Sequence, residues 1–332
     1  MNKIKKIIFG INTQISTNNN YFIKFLTNAL KNECDFDEKS HLDIDINFDN
    51  NFFNSKKNLF KSIDWNYYGS EIYLNDNEIF WNSKNLKVLL KKNDKVSVLA
   101  KASLRFDQKM RLFFLNEPEF LNNQFLTVYR FVILYPLFNI ISHQNEASVI
   151  HASAVKEKES NKASIIIGLN GVGKSTLACK LINHNYDIIS DNFVIYQNNK
   201  IISVPELIKL PKNMLNYFGS NNLVGKGNKK FLFINSFKSK DLDLDKVIFL
   251  KRNNSFSEGV ISTISSKKAE QLLHSTSMFL KEYENYHYTA FLNNNKVKID
   301  FKNYKMLSEK KCFSFTIGKE NNVSKLLQLL NS

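Results

Sequence analysis

Alternating apolar and polar positions mark the first half of the chain as a series of short strands. Residues 41–48 read HLDIDINF, in which apolar side chains recur at every second position, as in a half-buried strand. Further short runs of this kind are separated by turns rich in Asn, Asp and Lys. They are Glu71–Leu74, Glu78–Trp81, Leu86–Leu90 and Val96–Leu99.

Helical spacing is predicted in two segments of the same half. The first is Tyr21–Lys31, and the second is the largely apolar run Phe120–Ser142, where Pro136 should kink or split the helix. We therefore predict an α+β region over residues 1–145, as a candidate region for recognising a substrate or partner.

The pattern changes near Ala147, where strands begin to alternate with helices. Two apolar runs, Val149–Val155 and Ala163–Ile167, flank a polar turn and predict a hairpin, and helical spacing begins at Lys174. The predicted elements that follow are a strand at Tyr186–Ser190, a hairpin over Phe193–Val204 turning at Asn198-Asn199, strands at Phe231–Ile234 and Lys246–Leu250, a helix near Ser266–Tyr283, and a final strand and helix. This alternation predicts an α/β domain over residues 146–332.

Composition fits a folded globular protein, with 43% hydrophobic and 13% aromatic residues. The net charge of +15 could suggest a nucleic-acid partner, but only four of the 46 basic residues are Arg, and the Lys are scattered along the chain. Nucleic-acid-binding proteins usually concentrate their charge in one patch, often with Arg. The charge therefore indicates a solvated Lys-rich surface, and we predict no nucleic-acid partner.

The cysteines and the apolar runs bear on the cellular setting. Cys34, Cys179 and Cys312 have the spacing of neither a zinc site nor a disulfide framework, which favours a reducing cytoplasm. The apolar stretch Phe131–Ile141 is shorter than the roughly 20 residues that span a bilayer. We predict a cytoplasmic protein without a membrane segment, and the sequence indicates no oligomeric state.

Residues 168–176 read GLNGVGKST and match the phosphate-binding pattern G-x-x-x-x-G-K-[ST]. Glycines bring backbone N–H groups close to phosphate oxygens, and the N-terminus of the following helix favours anions. Lys174 is predicted to reach the β- and γ-phosphates of ATP, and the Ser175 hydroxyl to bind Mg²⁺. The predicted nucleotide-binding residues are Gly168, Asn170, Gly171, Val172, Gly173, Lys174, Ser175 and Thr176.

Two side chains outside this loop are candidates for the chemistry. Asp191 follows the predicted strand Tyr186–Ser190, and the ends of strands in open α/β sheets gather ligand-facing residues. Phosphoryl transfer needs a carboxylate that orients the nucleophile, which makes Asp191 the candidate base. His151 lies in the predicted strand VIHASAV before the hairpin turn.

These elements resemble the C-terminal domain of HPr kinase/phosphorylase and its looser HPr kinase-like relatives. The matching residues are His151 in HASAV, the phosphate-binding loop, and the segment ISDN about fifteen residues later, within Ser148–Pro211. The resemblance implies a fold of the HPr kinase/phosphoenolpyruvate carboxykinase type. It implies transfer from ATP, with Mg²⁺, to a serine hydroxyl of a protein or peptide or to a small-molecule hydroxyl. It also implies that Asp191 is a metal-associated carboxylate or the base, with His151 tuning it.

The sequence departs from this family at two points. Asn192 replaces the second Asp of the family's pair, and the glycine-rich segment that follows in true HPr kinase/phosphorylases is not recognisable. Both departures argue against HPr as the substrate and against the reverse reaction. A kinase of another hydroxyl-bearing substrate agrees better with the sequence.

Weaker candidates lie further along the chain. Glu206 is a candidate second acidic group or acceptor-site residue, and Lys229 or Lys230, after a Gly225-x-Gly227 loop, could neutralise the transferring phosphoryl group. Arg252 could contact the nucleotide, with a salt bridge as its alternative.

Two other functions stay open beside the kinase. One is a P-loop ATPase or GTPase that works as a switch, although Lys251 stands where a Walker B strand would end in Asp. The other is a nucleotide-binding protein without turnover, with Asn192 as the mark of lost activity.

Overall fold

The computed structural model divides the chain into two compact units, which are built mainly from Met1–Ile140 and from Ile141–Val224, Asn228–Tyr286 and Lys298–Ser332. The fold is mixed α/β and consists mostly of strands. The predicted domain limits of 1–145 and 146–332 stay a prediction. The structure describes residues 2–48, 61–67, 70–74, 78–83, 85–92, 96–103, 121–144, 147–211, 223–224, 229–233, 241–282, 302–320 and 322–332.

The first unit contains an eight-stranded sheet with the order β1-β2-β3-β8-β7-β6-β5-β4. Its strands are β1 (Asn2–Ile8), β2 (Ile11–Thr17), β3 (Leu42–Asn47), β4 (Lys61–Tyr67), β5 (Ser70–Leu74), β6 (Glu78–Asn82), β7 (Leu86–Lys92) and β8 (Val96–Ala102), and helix α1 spans Asn20–Ala29. Strand β3 runs parallel to both of its neighbours, and the other pairs are antiparallel. The strands predicted from β3 to β8 are confirmed, apart from β4, which was not predicted.

The hairpin of β1 and β2 was also not predicted. Its two-residue turn consists of Phe9 and Gly10, whose φ angles of 53° and 79° both lie in the left-handed region. Such turns match the twist of antiparallel strands but usually carry Asn-Gly or Asp-Gly. Phe-Gly gives no such signal in the sequence.

One continuous helical segment joins helix α2 (Asn122–Val128), a π-helical stretch (Tyr129–Leu134) and helix α3 (Tyr135–Gln144). The Tyr135 N–H bonds to the carbonyl of Arg130, five residues earlier, so the helix changes register directly before Pro136. Proline lacks an N–H and collides with the carbonyl four residues before it, which explains the local change without a break. The helical segment Asn123–Ser142 is long and apolar enough to cross a membrane, so the prediction that the apolar stretch is too short is corrected. Most of this segment is buried inside the fold, as in the core helix of a globular protein.

The second unit contains a nine-stranded sheet and a small three-stranded sheet with the order β15-β17-β16. The large sheet comprises β9 (Ser148–Ile150), β10 (Ala152–Glu157), β11 (Lys162–Ile167), β12 (Tyr186–Ser190), β13 (Val194–Gln197), β14 (Lys200–Ser203), β18 (Leu242–Arg252), β19 (Val260–Thr263) and β20 (Lys311–Ile317). The small sheet comprises β15 (Leu207–Pro211), β16 (Leu223–Val224) and β17 (Lys229–Phe233). The helices are α4 (Lys174–Leu181), a 3₁₀ turn (Ile182–His184), α5 (Ser266–Glu282), α6 (Lys302–Ser308) and α7 (Asn322–Asn331).

Helices cover the large sheet on both faces. Ile165 and Ile167 of β11 belong to the buried cluster that includes Leu273 of α5, whereas Ile166 packs in the opposite cluster with Leu177 of α4. Successive strand residues point to opposite faces, so a strand buried on both sides is apolar throughout. Strand β11 is therefore held from both faces up to the residue where the following loop begins.

Four strands finish at one end of the large sheet, which we call the loop end. Strand β10 is antiparallel to both β11 and β12, so these two strands run in the same direction. Strand β18 is parallel to β11, and β20 is parallel to β18. The residues that follow β11, β12, β18 and β20 therefore gather at the loop end, where β10 begins.

The predicted strand Val149–Val155 is wrong as one element. It bends at His151 into β9, which pairs with β13, and β10, which pairs with β11 and β12. Its partners β12 and β13 are likewise interrupted, by Asp191–Phe193. The two interruptions face each other, because Ala154 pairs with Ser190 on one side of them and Ile150 with Val194 on the other. His151 directly precedes β10 and therefore lies at the loop end.

Candidate active site

A glycine loop, residues Gly168–Ser175, connects β11 to α4 at the loop end. A Cβ on Gly168 would lie 2.7 Å from the Leu250 carbonyl oxygen, so a larger residue does not fit there. Gly171 and Gly173 have φ angles of 77° and 114°, a region that residues with a Cβ rarely adopt. The loop therefore turns back tightly and leads into the N-terminus of α4 at Lys174. The predicted sequence of strand, loop and helix is confirmed.

The Lys174 side chain lies inside this loop and is only 6% exposed. Its Nζ donates hydrogen bonds to the carbonyl oxygens of Gly168 at 2.7 Å and Leu169 at 3.1 Å. Burial lowers the pKa of Lys174 to about 8, and the negative charge of Asp191 opposes this shift. The loop thus holds a poorly solvated cation that an anionic ligand could bind in place of the carbonyl groups.

Asp191 is buried directly after β12, beside the start of α4. Its Oδ1 accepts hydrogen bonds from Ser175 Oγ at 2.9 Å and from Ser153 Oγ at 2.5 Å. Ser153 is fully buried on β10, between the strands that lead to the loop and to Asp191. The loop and the carboxylate are therefore connected by hydroxyl groups. Sequence reasoning missed Ser153, whose signal was only a hydroxyl in an otherwise small and apolar strand.

The turn after Asp191 brings Glu206 to the same region. Asn192 has a φ of 71°, which Asn adopts more readily than most residues, and its Nδ2 donates to Glu206 Oε2 at 3.3 Å. Ser190 Oγ donates to the Phe193 carbonyl and accepts from the Val204 N–H, which fixes the turn against the segment before Glu206. Glu206 is buried, so it is not a surface loop residue.

His151 lies at the bend between β9 and β10 and is half-buried. Its ring packs edge-on against Phe193 with 6.2 Å between centroids, and the N–H of the next residue, Ala152, donates to the Asn192 carbonyl at 3.2 Å. His151 is thus brought to the turn that carries Asp191. Its predicted role in tuning that carboxylate stays a prediction.

Arg252, the last residue of β18, lies against the glycine loop. Its Nη2 donates to the Val172 carbonyl at 3.4 Å and is 3.2 Å from the position of a Cβ on Gly173. Arg252 thus bonds to a carbonyl group of the glycine loop, whereas the alternative prediction was a salt bridge to a carboxylate. Lys229 and Lys230 lie in β17, but their side chains, like Gly225 and Gly227, lie outside the described residues.

The site is suited to a metal that is shared with a ligand. Among the residues that the structure describes, no group of three or more His, Cys, Asp or Glu could hold a metal ion. Ser175 and Asp191 nevertheless offer oxygen ligands, which Mg²⁺ prefers, and Mg²⁺ is commonly bound by one or two protein oxygens together with substrate phosphates. The residues present fit Mg²⁺ bound with a nucleotide.

The fold and the site together define a mixed α/β protein whose glycine loop faces a buried carboxylate. The chain matches no protein-family model and no curated protein sequence. Among solved structures it has a weak likeness to the Hpr(Ser) kinase/phosphatase from Coxiella burnetii, at 12% identity and a TM-score of 0.25, over 55% of this chain and 93% of that chain. A structural neighbour is thus an HPr kinase/phosphatase, but a likeness at this level defines neither the fold nor the function of this chain.

Proposed function

We propose that the protein is an ATP- and Mg²⁺-dependent kinase with an HPr kinase-like fold, which transfers the γ-phosphoryl group to a hydroxyl. The acceptor is a serine of a peptide or protein, or a small-molecule alcohol. The observation that carries the proposal is the 2.9 Å hydrogen bond between Ser175 Oγ and Asp191 Oδ1. In P-loop NTPases a loop Ser or Thr and a nearby Asp hold Mg²⁺, and a kinase also needs a carboxylate that orients the acceptor hydroxyl. The pair supports both tasks, and a transfer assay separates a kinase from an ATPase.

The glycine loop and the N-terminus of α4 bind the triphosphate in this proposal. The first N–H groups of a helix have no partner within it and favour anions. Lys174 exchanges the carbonyl groups of Gly168 and Leu169 for phosphate oxygens, which are stronger acceptors for an ammonium group. Ser175, with Asp191 nearby, would hold Mg²⁺ together with the phosphates, and the ion would neutralise charge on them.

Asp191 acts as the base in the transfer step. The acceptor oxygen forms a bond to the γ-phosphorus while the bond from that phosphorus to the β,γ-bridging oxygen breaks, and ADP leaves with the electron pair. Asp191 takes the hydroxyl proton on a carboxylate oxygen. Ser153 donates to the same carboxylate and would keep it oriented if Ser175 were engaged with Mg²⁺.

The turn that follows Asp191 provides the acceptor side of the site. Asn192 and Glu206 contribute an amide and a carboxylate there, which suit an acceptor with several polar groups. An Asp in place of half-buried Asn192 would set a second carboxylate against that of buried Glu206. The pairing with Glu206 therefore gives Asn192 a physical role other than lost activity.

A transfer assay with γ-labelled ATP and Mg²⁺ tests the proposal. The acceptors are serine, serine peptides, sugars and inositols, with water as control. We expect label on one acceptor class, lost in Asp191→Asn and kept in Asp187→Asn, which removes a half-buried carboxylate from β12, the strand that Asp191 follows. Phosphate release to water alone would indicate an ATPase or GTPase switch, and binding without turnover an inactive nucleotide-binding protein.

A further inference from the structure

The groups of the proposed site have a fixed order along the loop end. Asp191 follows β12, the glycine loop follows β11, Arg252 ends β18 and Gly318 follows β20. Strand pairing places these strands in the order β12, β10, β11, β18, β20. An ATP with its γ-phosphate at Asp191 and its phosphates on the loop therefore extends its nucleoside away from Asp191, over the ends of β18 and β20.

A closely held turn occupies that position. The Asn253 N–H donates to the Ile317 carbonyl at 3.1 Å, and the Lys319 N–H donates to the Phe256 carbonyl at 3.1 Å. A Cβ on Gly318 would lie 2.6 Å from the Glu258 carbonyl oxygen, so the two segments approach as closely as backbones can. The turn at residues 253–258 is thus hydrogen-bonded to the end of β20 and to the residues that follow it.

This turn carries an exposed aromatic residue at the loop end of the sheet. The Phe256 side chain is 39% exposed, although most large apolar side chains in the described residues are buried. Ile317, the neighbour of Gly318, places its Cδ1 3.5 Å from the position of a Cβ on Gly173. Arg252, four residues before Phe256, donates to the loop itself. The Arg252 cation therefore lies beside the glycine loop on the side away from Asp191, and the exposed Phe256 belongs to the turn that follows Arg252 directly.

We infer that Phe256 and Arg252 form the nucleoside subsite of the nucleotide site. The base of the nucleoside triphosphate stacks on the Phe256 ring, and the Arg252 guanidinium pairs with the phosphate nearest the ribose. Aromatic rings bind bases in this way because every base offers a π face. A turn that is already ordered loses little conformational entropy on binding. The inference rests on the proposed nucleotide function.

Calorimetric titration of the full chain with ATP–Mg²⁺ and with tripolyphosphate–Mg²⁺ separates the subsite from the loop. We expect Phe256→Ala to weaken ATP binding by about 5- to 100-fold, the range for loss of one stacked base, and to leave tripolyphosphate binding within about twofold. Phe256→Trp should bind ATP at least as tightly as the unchanged protein. Tyr21→Ala is the matched control, because Tyr21 on α1 is an aromatic residue of similar exposure, 37%.

Each other outcome overturns the inference in a recognisable way. Unchanged ATP affinity in Phe256→Ala would exclude stacking on this ring. An equal loss for both ligands, with Phe256→Trp binding as the unchanged protein does, would also overturn stacking, because Phe256 would then act on the phosphate-binding loop and not on the base. Equal affinity of the unchanged protein for the two ligands would exclude a nucleoside subsite while keeping phosphate binding, and binding of neither would overturn the proposed function as well.

Discussion

Replacing Lys174 by Ala tests nucleotide binding most directly. A hydrogen bond from a charged group contributes about 1.5–3 kcal/mol, so loss of the ammonium should weaken ATP–Mg²⁺ binding about 10- to 100-fold. At a ligand concentration of about 100 times Kd, binding stabilises a protein by about 2.7 kcal/mol. For the compact unit that contains the glycine loop, this stabilisation raises Tm by about 5–10 °C. With Kd raised 100-fold, the same concentration gives about 0.4 kcal/mol, or about 1 °C.

The assay is thermal unfolding with and without ATP–Mg²⁺, and the quantity compared is the shift in Tm. The absolute Tm of Lys174→Ala also changes, because the bonds to the Gly168 and Leu169 carbonyls are lost. Two variants serve as controls. Lys174→Met removes the charge but keeps much of the side-chain volume, and Lys180→Ala removes a charge from the same helix at a position outside the glycine loop. A shift in Lys174→Ala as large as in the unchanged protein would show that the nucleotide binds elsewhere.

Three further predictions concern protonation and hydrogen bonding at the site. Since the pKa of Lys174 is about 8 in the free protein and phosphates favour its charged form, ATP affinity should be full below pH 8 and fall above it. Calorimetry at pH 8.5 in buffers of different ionisation enthalpy should show that ATP binding is accompanied by proton uptake. The same uptake in Lys174→Met would show that the proton is not taken up by Lys174. Ser153→Ala removes a donor to the charged Asp191 carboxylate, so it should cost about 1.5–3 kcal/mol in urea unfolding and move the acid limb of the kcat–pH profile to higher pH. An unmoved limb would refute the positioning role. Asn192→Asp sets a second carboxylate against Glu206, which raises a pKa in the folded state. Stability should therefore fall by about 1–3 kcal/mol at pH 8 and recover near pH 5, and equal urea midpoint losses at both pH values would argue against charge repulsion.

Local signals in the sequence were sufficient to predict the glycine loop and the elements next to it in the chain. The run from Ala163 into Gly168 predicted the strand and loop, because strand periodicity and glycine geometry depend on adjacent residues. The hairpin turn at Asn198-Asn199 was predicted for the same reason, and both residues have positive φ angles of 49° and 63°. Asp191 could be placed at the end of a strand, although its bonds to two hydroxyls could not.

What the sequence missed depends on pairing between distant segments. Arg252 reaches Val172 because β18 lies parallel to β11, and 80 residues separate the two partners. The bend at His151 lies opposite the interruption at Asp191–Phe193 in the paired strands, while the apolar pattern of Val149–Val155 continues through it. Ser153 occupies a core position by pattern, and only the pairing of β10 with both β11 and β12 gives its hydroxyl a function.

Strand β10 hydrogen-bonds to β11 on one side and to β12 on the other, so the glycine loop and Asp191 are attached to the two neighbours of a single strand. Strand β12 is itself an outer strand of this sheet, so its hydrogen bonds to β10 set the position of Asp191 relative to the glycine loop. A substitution on β10 that weakens its pairing with either neighbour therefore changes the spacing between the two groups, although neither group lies on β10.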